Sequence, residues 1–518
     1  MLDRFSCCSP RHGVRAMLIG VLATVFCCAL CFCPHAAWGE EVSEGETLVI
    51  TGGTVHTLAG APITDGVIVV RDGRIVEIGT DTEVAIGSAA RRVDARGWTV
   101  IPGLVDAGTR FVLGEGDNQS FRAHHQLADA LDVRHPLVPL VRQEGITTVG
   151  VLAESDGPVG GVATIVKLVP EQGDGASASG SFRTVRRDAY LLLALCGLTS
   201  QGRFSETSGR LEAFYELRDQ LRAAQKYSKT WEKYREAVGK YNEQVRKYNE
   251  KLEADKKPAT EKKSADKNDK PSGEKGKQPP EKKDAPKAAD GGLESLATFG
   301  QKDGDKAKAK PAAKPAPKKP KPPRAPKKPK FDVDLEILVK LLAGKLPIWI
   351  AAHRSDEIAY ALRLKKEFDL DITLIGMTEG YARARALAEA KVPAVVGPVL
   401  LRRRGLCFLN HRESNLADLS NAGVDVSIAG FDSQGLAARQ LRLHAAVAVR
   451  GGLDRDQALR AITLEPARRL GIADRVGSLE VGKDADMVIL DGDPLSATTS
   501  VLKVIIDGKI VYSNEKLF

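Results

Sequence analysis

The chain has 518 residues and a formal net charge of +9, and 43 % of its residues are hydrophobic. This length and composition fit two to four globular domains and exclude a collagen-like, fully disordered or multi-span membrane protein. The charge is uneven, because residues 251–330 carry 24 Lys and Arg against 12 Asp and Glu and hold 13 of the 26 prolines. The rest of the chain is therefore slightly acidic, which argues against a protein that binds nucleic acid specifically.

Residues 1–39 have the pattern of a secretory signal peptide. Arg4, Arg11 and Arg15 precede an unbroken apolar run over residues 16–33, and Ala37-Trp38-Gly39 is typical of a cleavage site. We therefore predict export to the periplasm or the extracellular space. An uncleaved membrane anchor is the alternative, because an apolar run of this length can just span a bilayer.

The cysteines are concentrated in the same region. Six of the eight lie within the first 33 residues, which leaves Cys196 and Cys407 in the rest of the chain. Two cysteines exclude a disulfide scaffold and a zinc module of paired Cys-x-x-Cys motifs. A Cys196–Cys407 bridge is one reading, but we predict two separate buried thiols.

Residues 40–102 and 471–518 are predicted to be β-structure. Residues 67–78 place two β-branched runs around Asp72-Gly73, and residues 504–512 repeat this pattern around Asp507-Gly508. Asp-Gly is a strong hairpin signal because both residues tolerate the positive φ that a two-residue turn requires. Strands at both ends of the chain predict a small β-domain assembled from both termini.

Between these segments, in residues 103–204 and 331–470, short apolar strands alternate with helices. This alternation predicts a parallel sheet covered by helices, and thus an α/β fold. The predicted strands include 147–152, 348–351, 372–375, 394–396 and 424–428, and the predicted helices are 356–368, 381–390 and 457–470.

An insertion interrupts this alternation. Residues 205–252 are predicted to form one long helix. Its apolar and aromatic residues are spaced alternately three and four apart, at Trp231, Tyr234, Val238, Tyr241, Val245, Tyr248 and Leu252. This seam suits a helix packed on its own protein or a coiled-coil homodimer through residues 217–252. Residues 253–330 lose this periodicity, and their Lys/Pro-rich composition predicts a disordered loop. The loop would act as a spacer or attach to an anionic polymer or membrane surface.

Several motifs resemble the amidohydrolase superfamily. Residues 100–107, Val-Ile-Pro-Gly-Leu-Val-Asp-Ala, resemble its first barrel strand; residues 458–470 resemble its last helix, and residues 477–486 its return into the β-domain. Residues 353–358 and 378–381 are similar to the imidazolonepropionase-like branch. The resemblance implies a distorted (β/α)8 TIM barrel with a small β-sandwich built from both termini. It also implies hydrolysis of C–N bonds other than peptide bonds at a zinc or other divalent metal site.

The sequence departs from this family at the implied metal ligands. The His-x-His pair of the first strand falls on Gly108 and Arg110, and the later His positions fall on Ala351 and Gly376. Glycine and alanine have no ligand atom, and a guanidinium is a permanent cation that repels a divalent metal. A hydrolytic metal site needs about three protein ligands and an open position for water, so no metal is predicted.

Two positions remain as candidate catalytic remnants of the family site. Asp432 aligns with the last-strand aspartate, and His353 lies in the imidazolonepropionase-like stretch. Arg110 is predicted to pair with Asp432 or to bind a small anionic ligand, because its planar fork can donate two hydrogen bonds to a carboxylate.

Other side chains offer weaker metal-binding candidates. Lys167 could form a carbamylated bridge, but its apolar flank predicts an ordinary strand residue. The other histidines considered are predicted to lie on the surface or in loops: His124, His125, His135, His411 and His444.

Three functions remain open from the sequence. The first is a degenerate amidohydrolase that binds a ligand or partner at the barrel mouth. The second is an active hydrolase of cyclic amides or related C–N bonds with an atypical site. The third is a surface-attachment protein that works through the basic insertion.

Overall fold

A computed structural model describes residues 47–84, 90–113, 122–152, 154, 157–170, 182–196, 207–256, 321–400, 406–432 and 434–514. The predicted signal peptide and residues 257–320 of the predicted loop lie outside the described residues. Within the described part of the chain, no helix is long and apolar enough to cross a membrane. These residues form two compact units, one that combines residues up to 229 with those from 331 onward, and one within residues 230–330.

The first half of the strands are β1 Leu48–Val55, β2 Ile63–Arg71, β3 Arg74–Thr80, β4 Arg91–Asp94, β5 Thr99–Pro102, β6 Leu104–Thr109, β7 Ile146–Val151, β8 Val159–Val162 and β9 Thr164–Pro170. The others are β10 Phe182–Arg186, β11 Leu191–Ala194, β12 Ile348–Ala352, β13 Ile372–Gly376, β14 Ala394–Val396, β15 Val426–Ile428, β16 Met487–Leu490, β17 Val501–Ile506 and β18 Lys509–Ser513. The helices are α1 Leu137–Arg142, α2 Thr207–Lys256, α3 Val333–Leu342, α4 Ser355–Phe368, α5 Ala384–Glu389, α6 Asn415–Asn421, α7 Leu436–Arg439, α8 Leu441–Arg450, α9 Arg455–Arg460 and α10 Leu464–Leu470.

Strands from both ends of the chain share one mixed sheet, in the order β18-β17-β16-β5-β1-β2-β3, with β4 paired to β1. Both predicted Asp-Gly hairpins are confirmed. Asp72 and Gly73 have φ of 51° and 75° between β2 and β3, and Asp507 and Gly508 have φ of 50° and 75° between β17 and β18. Positive φ at both turn residues gives a twist that matches the flanking strands.

The central strands form a TIM-barrel-like arrangement. β6 and β7 pair in parallel, and β11 to β15 form a parallel run in chain order. β8 pairs antiparallel with β11 and the following β9 pairs antiparallel with β7, so one reversed segment bridges the two groups. On the other side, the Phe431 amide donates to the Gly108 carbonyl, which joins the chain after β15 to β6.

Apolar side chains fill the inside of this barrel. Alternate residues of the strands point inward, and they form one buried cluster that includes Ala351, Ile375 and Phe431. Tyr190 and Trp349 stack in this cluster with ring centroids 3.9 Å apart and planes inclined by 9°. The barrel interior is therefore a hydrophobic core.

The predicted helix over residues 457–470 is wrong, because the structure divides it into α9 and α10. The Ala461 and Ile462 carbonyls accept hydrogen bonds from the Ile428 and Val105 amides of two barrel strands. Pro466 lies in the first turn of α10, where its missing N–H is tolerated. Residues 381–390 also begin differently from the prediction, as a 3-10 turn at Gly380–Arg383 before α5.

The predicted long helix exists and runs from Thr207 to Lys256. In its first part, Phe214, Leu217 and Leu221 are buried in the core around the barrel. Arg218 also pairs with Glu367 of α4, with Nε 2.7 Å from Oε2. The first part of α2, which precedes the seam of residues 231–252, therefore packs on the rest of the protein. Because Leu217 and Leu221 are buried there, they are not available to the predicted homodimer interface.

The second unit contains the remainder of α2 and residues 321–330. These ten residues contain no helix, strand, turn or bend. The Lys328 ammonium lies 6.0 Å from the centroid of the Trp231 ring. Residues 321–330 thus have a defined contact within the segment that the sequence predicts to be disordered.

Candidate functional site

The end of β6 is bonded to the segment that follows β15. The Gly108 carbonyl accepts from the Phe431 amide at 2.8 Å, and the Arg110 amide donates to the Asp432 carbonyl at 2.9 Å. The sequence-predicted positions Gly108, Arg110 and Asp432 therefore lie together at the carboxyl end of the barrel strands, where such barrels place their active sites.

Phe431 occupies the space that a side chain at position 108 would need. A Cβ atom built on Gly108 would lie 2.4 Å from Phe431 Cε1 and 3.0 Å from Leu152 Cδ1. Contacts this short are not tolerated, so a histidine at this position would require Phe431 to move. Phe431 is buried, and its ring is part of the barrel core.

A second implied ligand position is closed in a similar way. A Cβ atom on Gly376 would lie 2.7 Å from His353 Cε1, and Gly376 has a φ of +89° that side chains rarely adopt. His353 is buried; its Nδ1 lies 2.8 Å from Thr378 Oγ1, and its ring centroid lies 4.7 Å from that of Phe408. Ala351 is buried in the barrel core at the end of β12. The structure therefore places His353, Gly376 and Ala351 at the ends of neighbouring strands.

Arg110 pairs with Glu154 and not with Asp432, so the sequence-predicted partner is wrong. The two side chains are 15 % and 12 % exposed, and the Arg110 Nη1 atom donates to Glu154 Oε2. Asp432 instead accepts a hydrogen bond at Oδ2 from the Ala437 amide at 2.7 Å. A backbone amide that donates to a carboxylate favours its charged form.

Asp106 is a buried carboxyl group beneath this mouth that sequence reasoning did not single out. Its Oδ1 accepts hydrogen bonds from the amides of Gly108 at 3.1 Å and Gly430 at 3.0 Å. Burial raises the pKa of Asp106 to about 7; the two amide hydrogen bonds oppose this, and the nearby charge of Asp432 adds to it. The sequence signal that could have identified Asp106 is its position as an acidic residue within the otherwise uncharged strand β6.

The residues at these positions do not fit the divalent metal that the resemblance implies. One ligand position is covered by the Phe431 ring, another carries the cation of Arg110, and a third is closed by His353. Within the described ranges, no group of three or more His, Cys, Asp and Glu side chains is placed to hold a metal ion.

The other histidines have separate surroundings. His124 Nδ1 lies 2.7 Å from Asp334 Oδ1 at the surface, and the His135 ring packs against Phe111 with centroids 6.3 Å apart. His444 is buried on α8, contrary to the prediction of a surface or loop histidine, and burial lowers its pKa to about 4. Cys196 and Cys407 are separate free thiols, as predicted; Cys196 is buried, but Cys407 is only half-buried, so its predicted burial is wrong.

Lys167 belongs to a group that we call the ion-pair junction, in which one buried ammonium contacts three carboxylates. Its Nζ lies 2.8 Å from Asp484 Oδ2, 2.9 Å from Asp486 Oδ1 and 2.5 Å from Asp507 Oδ1. Burial favours the neutral amine, but attraction to the three aspartates outweighs it and raises the pKa of Lys167. A carbamate would place a fourth negative charge here, so the carbamylated bridge is excluded.

The ion-pair junction connects distant parts of the chain. Lys167 lies on β9, Asp486 precedes β16, and Asp507 is in the turn between β17 and β18. Arg475 contributes a further cation at 2.7 Å from Asp484, and Arg183 lies 3.0 Å from Asp507. The group therefore fixes the barrel to the sheet built from both termini, and no spacing along the chain indicates it.

Comparisons with known proteins agree with this architecture. An amidohydrolase family model matches residues 352–511. The crystal structure of an amidohydrolase from Thermotoga maritima has a TM-score of 0.63 and 22 % sequence identity, and the match covers 90 % of this chain and 100 % of that one. That likeness supports the fold alone.

Two curated relatives are similar over shorter segments. An imidazolonepropionase of Thermoplasma volcanium is 25 % identical over 155 residues, which are 29 % of this chain and 31 % of the relative. An N-substituted formamide deformylase of Arthrobacter pascens is 28 % identical over 204 residues, 33 % of this chain and 38 % of the relative. The chain thus spans less than two fifths of the length of either relative.

The barrel and the matched segments define the class: the chain has the fold of the amidohydrolase superfamily, and residues 352–511 match that family's model. Within it, the chain is similar to the imidazolonepropionase-like branch, which confirms the resemblance drawn from residues 353–358 and 378–381.

Proposed function

We propose that this protein is an exported, catalytically degenerate amidohydrolase that binds a ligand or partner at its barrel mouth. The observation that carries the proposal is the Phe431 ring, which fills the space of a side chain at position 108. The ion pair of Arg110 and Glu154 supports it, because a cation stands at the second ligand position of the same strand.

The donor groups that remain are poorly suited to metal-assisted hydrolysis. Such a site needs about three ligands and an open position where the metal can activate water. Asp106 directs one oxygen to two backbone amides, and His353 is held by Thr378 behind Gly376. The mouth therefore favours recognition over hydrolysis.

The class of ligand depends on how the Arg110–Glu154 ion pair responds when a ligand binds. A small anion, which Arg110 by itself would favour, must compete with the carboxylate of Glu154 for the guanidinium. We propose a small anionic ligand that displaces Glu154, or a partner that contacts both charges.

An active hydrolase with an atypical site is the second candidate. A carboxyl group with a pKa of about 7 near a second carboxylate has the properties of a general acid or base. Asp106 is fully buried beneath the mouth, so a substrate would reach it only after rearrangement. This candidate therefore ranks second.

Export and surface attachment complete the proposal. We propose that residues 1–39 direct secretion and that residues 253–330, with their excess of Lys, attach the protein to an anionic polymer or membrane surface. The sheet built from both termini would serve as the small β-sandwich of the family fold. Homodimerisation through residues 230–252 is an alternative use of the insertion.

Zinc content tests the proposal. We expect the mature protein, purified from zinc-supplemented medium, to contain less than one tenth of an equivalent and to hydrolyse neither a cyclic amide nor an N-substituted formamide. A matched variant with G108H, R110H and F431A rebuilds two ligands and removes the obstructing ring, and it should take up more zinc. Stoichiometric zinc in the wild type that is lost on Asp432→Asn would contradict the proposal.

A further inference from the structure

Residues 321–330 bury their prolines with a period of three. Pro323, Pro326 and Pro329 are half-buried, whereas the seven residues around them are exposed. A polyproline II helix has three residues per turn, so prolines at this spacing lie on one face. The burial pattern therefore indicates a polyproline II helix with its proline face covered.

The second part of α2 offers a surface of the matching kind. The seam residues from Trp231 to Leu252 are half-buried, while most of the residues between them are exposed. Four of the seven seam residues are aromatic: Trp231, Tyr234, Tyr241 and Tyr248. Aromatic surfaces are the usual recognition sites for polyproline II segments.

One contact joins these surfaces, and a second holds the residues that flank them. Lys328 lies over the ring of Trp231, a cation–π arrangement at the first position of the seam. Outside this unit, Tyr227 Oη donates to Glu336 Oε1 at 2.8 Å, which holds the two ends of the insertion side by side. We infer that residues 321–330 run from the contact of Lys328 with Trp231 along the helix, in the direction opposite to it.

The repeats of the two elements agree in length. One polyproline II turn advances about 9.3 Å, at ~3.1 Å per residue. One heptad of an α-helix advances about 10.5 Å, at ~1.5 Å per residue. Three successive prolines can therefore face three successive heptads of the seam with only a small drift.

We propose that the aromatic seam of α2 is a polyproline II binding site whose resident ligand is residues 321–330 of the same chain. Pro329 faces Trp231 and Tyr234, and Pro326 and Pro323 face the following heptads. The insertion is then a helix–polyproline hairpin, and its seam is occupied without a second copy of the chain. The chemical class recognised is a proline-rich, basic peptide with proline at every third position.

Amide hydrogen exchange of the intact protein tests the resident contact. In Pro326→Ser, we expect the amides of residues 231–252 to exchange at least threefold faster than in the wild type. The matched control is Pro322→Ser, because Pro322 is exposed and should leave exchange unchanged. Equal exchange in both variants would overturn the proposal.

A peptide with the sequence of residues 321–330 tests the binding site in trans. In a variant with P323S, P326S and P329S the seam is vacant. We therefore expect this peptide to bind the variant at least tenfold more tightly than it binds the wild type. Tyr241→Ser in that variant should abolish the difference. Equal binding to both proteins would contradict the proposal. So would a wild-type dimer in sedimentation velocity that Tyr241→Ser dissociates, since that result would assign the seam to a coiled coil.

Discussion

The barrel mouth and the ion-pair junction both bury carboxyl groups, but they balance the charge differently. At the junction, burial alone would raise the pKa of Asp484, and the cations of Lys167 and Arg475 outweigh this and lower it. At the mouth, Asp106 receives hydrogen bonds from two backbone amides, and burial raises its pKa to about 7.

This difference separates a structural charge network from the remains of a functional one. A buried carboxylate stabilises a fold only when a nearby cation and hydrogen bonds repay its lost hydration. The junction meets this condition for Asp484 with the side chains of Lys167 and Arg475. At the mouth, Arg110 pairs with Glu154, while Asp106 is held by the Gly108 and Gly430 amides and burial favours its protonated form.

Removal of the junction cation gives the largest expected effect. Lys167→Met leaves three buried carboxylates without their central partner, and loss of one member of a buried pair destabilises a protein by about 3–5 kcal/mol. Chemical denaturation should show this loss, while Lys340→Met at an exposed position should change stability by less than about 0.5 kcal/mol. An equal response of the two variants would mean that the junction is not a stabilising element.

The proton on Asp106 should make the mouth sensitive to pH. The native pKa of about 7 lies above the ordinary value of 3.8, so the native state binds more protons between these limits. The contribution of Asp106 to stability is therefore full below about pH 4 and decreases as the pH rises towards 7.

Asp106→Asn removes this proton and keeps the acceptor for the Gly108 and Gly430 amides. Between pH 5 and pH 8 we expect the wild type to lose about 2–3 kcal/mol more stability than the variant, at ~1.4 kcal/mol per pKa unit. Each protein is compared with itself at the two pH values, which cancels any pH-independent effect of the asparagine side chain on stability. Parallel pH profiles would show that Asp106 is already ionised at pH 5.

Reintroduction of the family ligand should overpack the mouth. Gly108→His places a side chain where Phe431 lies, and overpacking a buried site costs about 1–3 kcal/mol. Phe431→Ala in the same protein should recover part of this stability in thermal unfolding. Gly60→His is the control, since no atom lies within 4 Å of a Cβ at that position. If G108H is as stable as the control, Phe431 does not close the site.

The smallest effect is expected for the ion pair at the mouth. Arg110 and Glu154 both retain some exposure, so Arg110→Ala should lower stability by about 1 kcal/mol, less than the loss of a fully buried pair. A double-mutant cycle with Glu154→Ala measures the coupling directly. If Arg110 is coupled to Asp432 and not to Glu154, the partner predicted from the sequence is correct and the Arg110–Glu154 pair is not.

Local patterns predicted much of the fold. The Asp-Gly hairpins, the strands over residues 394–396 and 348–351, and the helix over residues 356–368 depend on short-range turn chemistry and hydrophobic period, and the structure has them within a few residues. The helix over 457–470 failed because two barrel strands take the carbonyls of Ala461 and Ile462, which no local pattern reveals.

The sequence by itself determined which residue types stand at the implied ligand positions, including Gly108 and Arg110, since a motif fixes positions along the chain. Only the tertiary structure decided what those residues contact. Glu154 is 44 residues from Arg110, and Asp486 and Asp507 are 319 and 340 residues from Lys167. Charge pairing and close packing depend on distance in space, and the barrel brings together side chains that the sequence order keeps far apart.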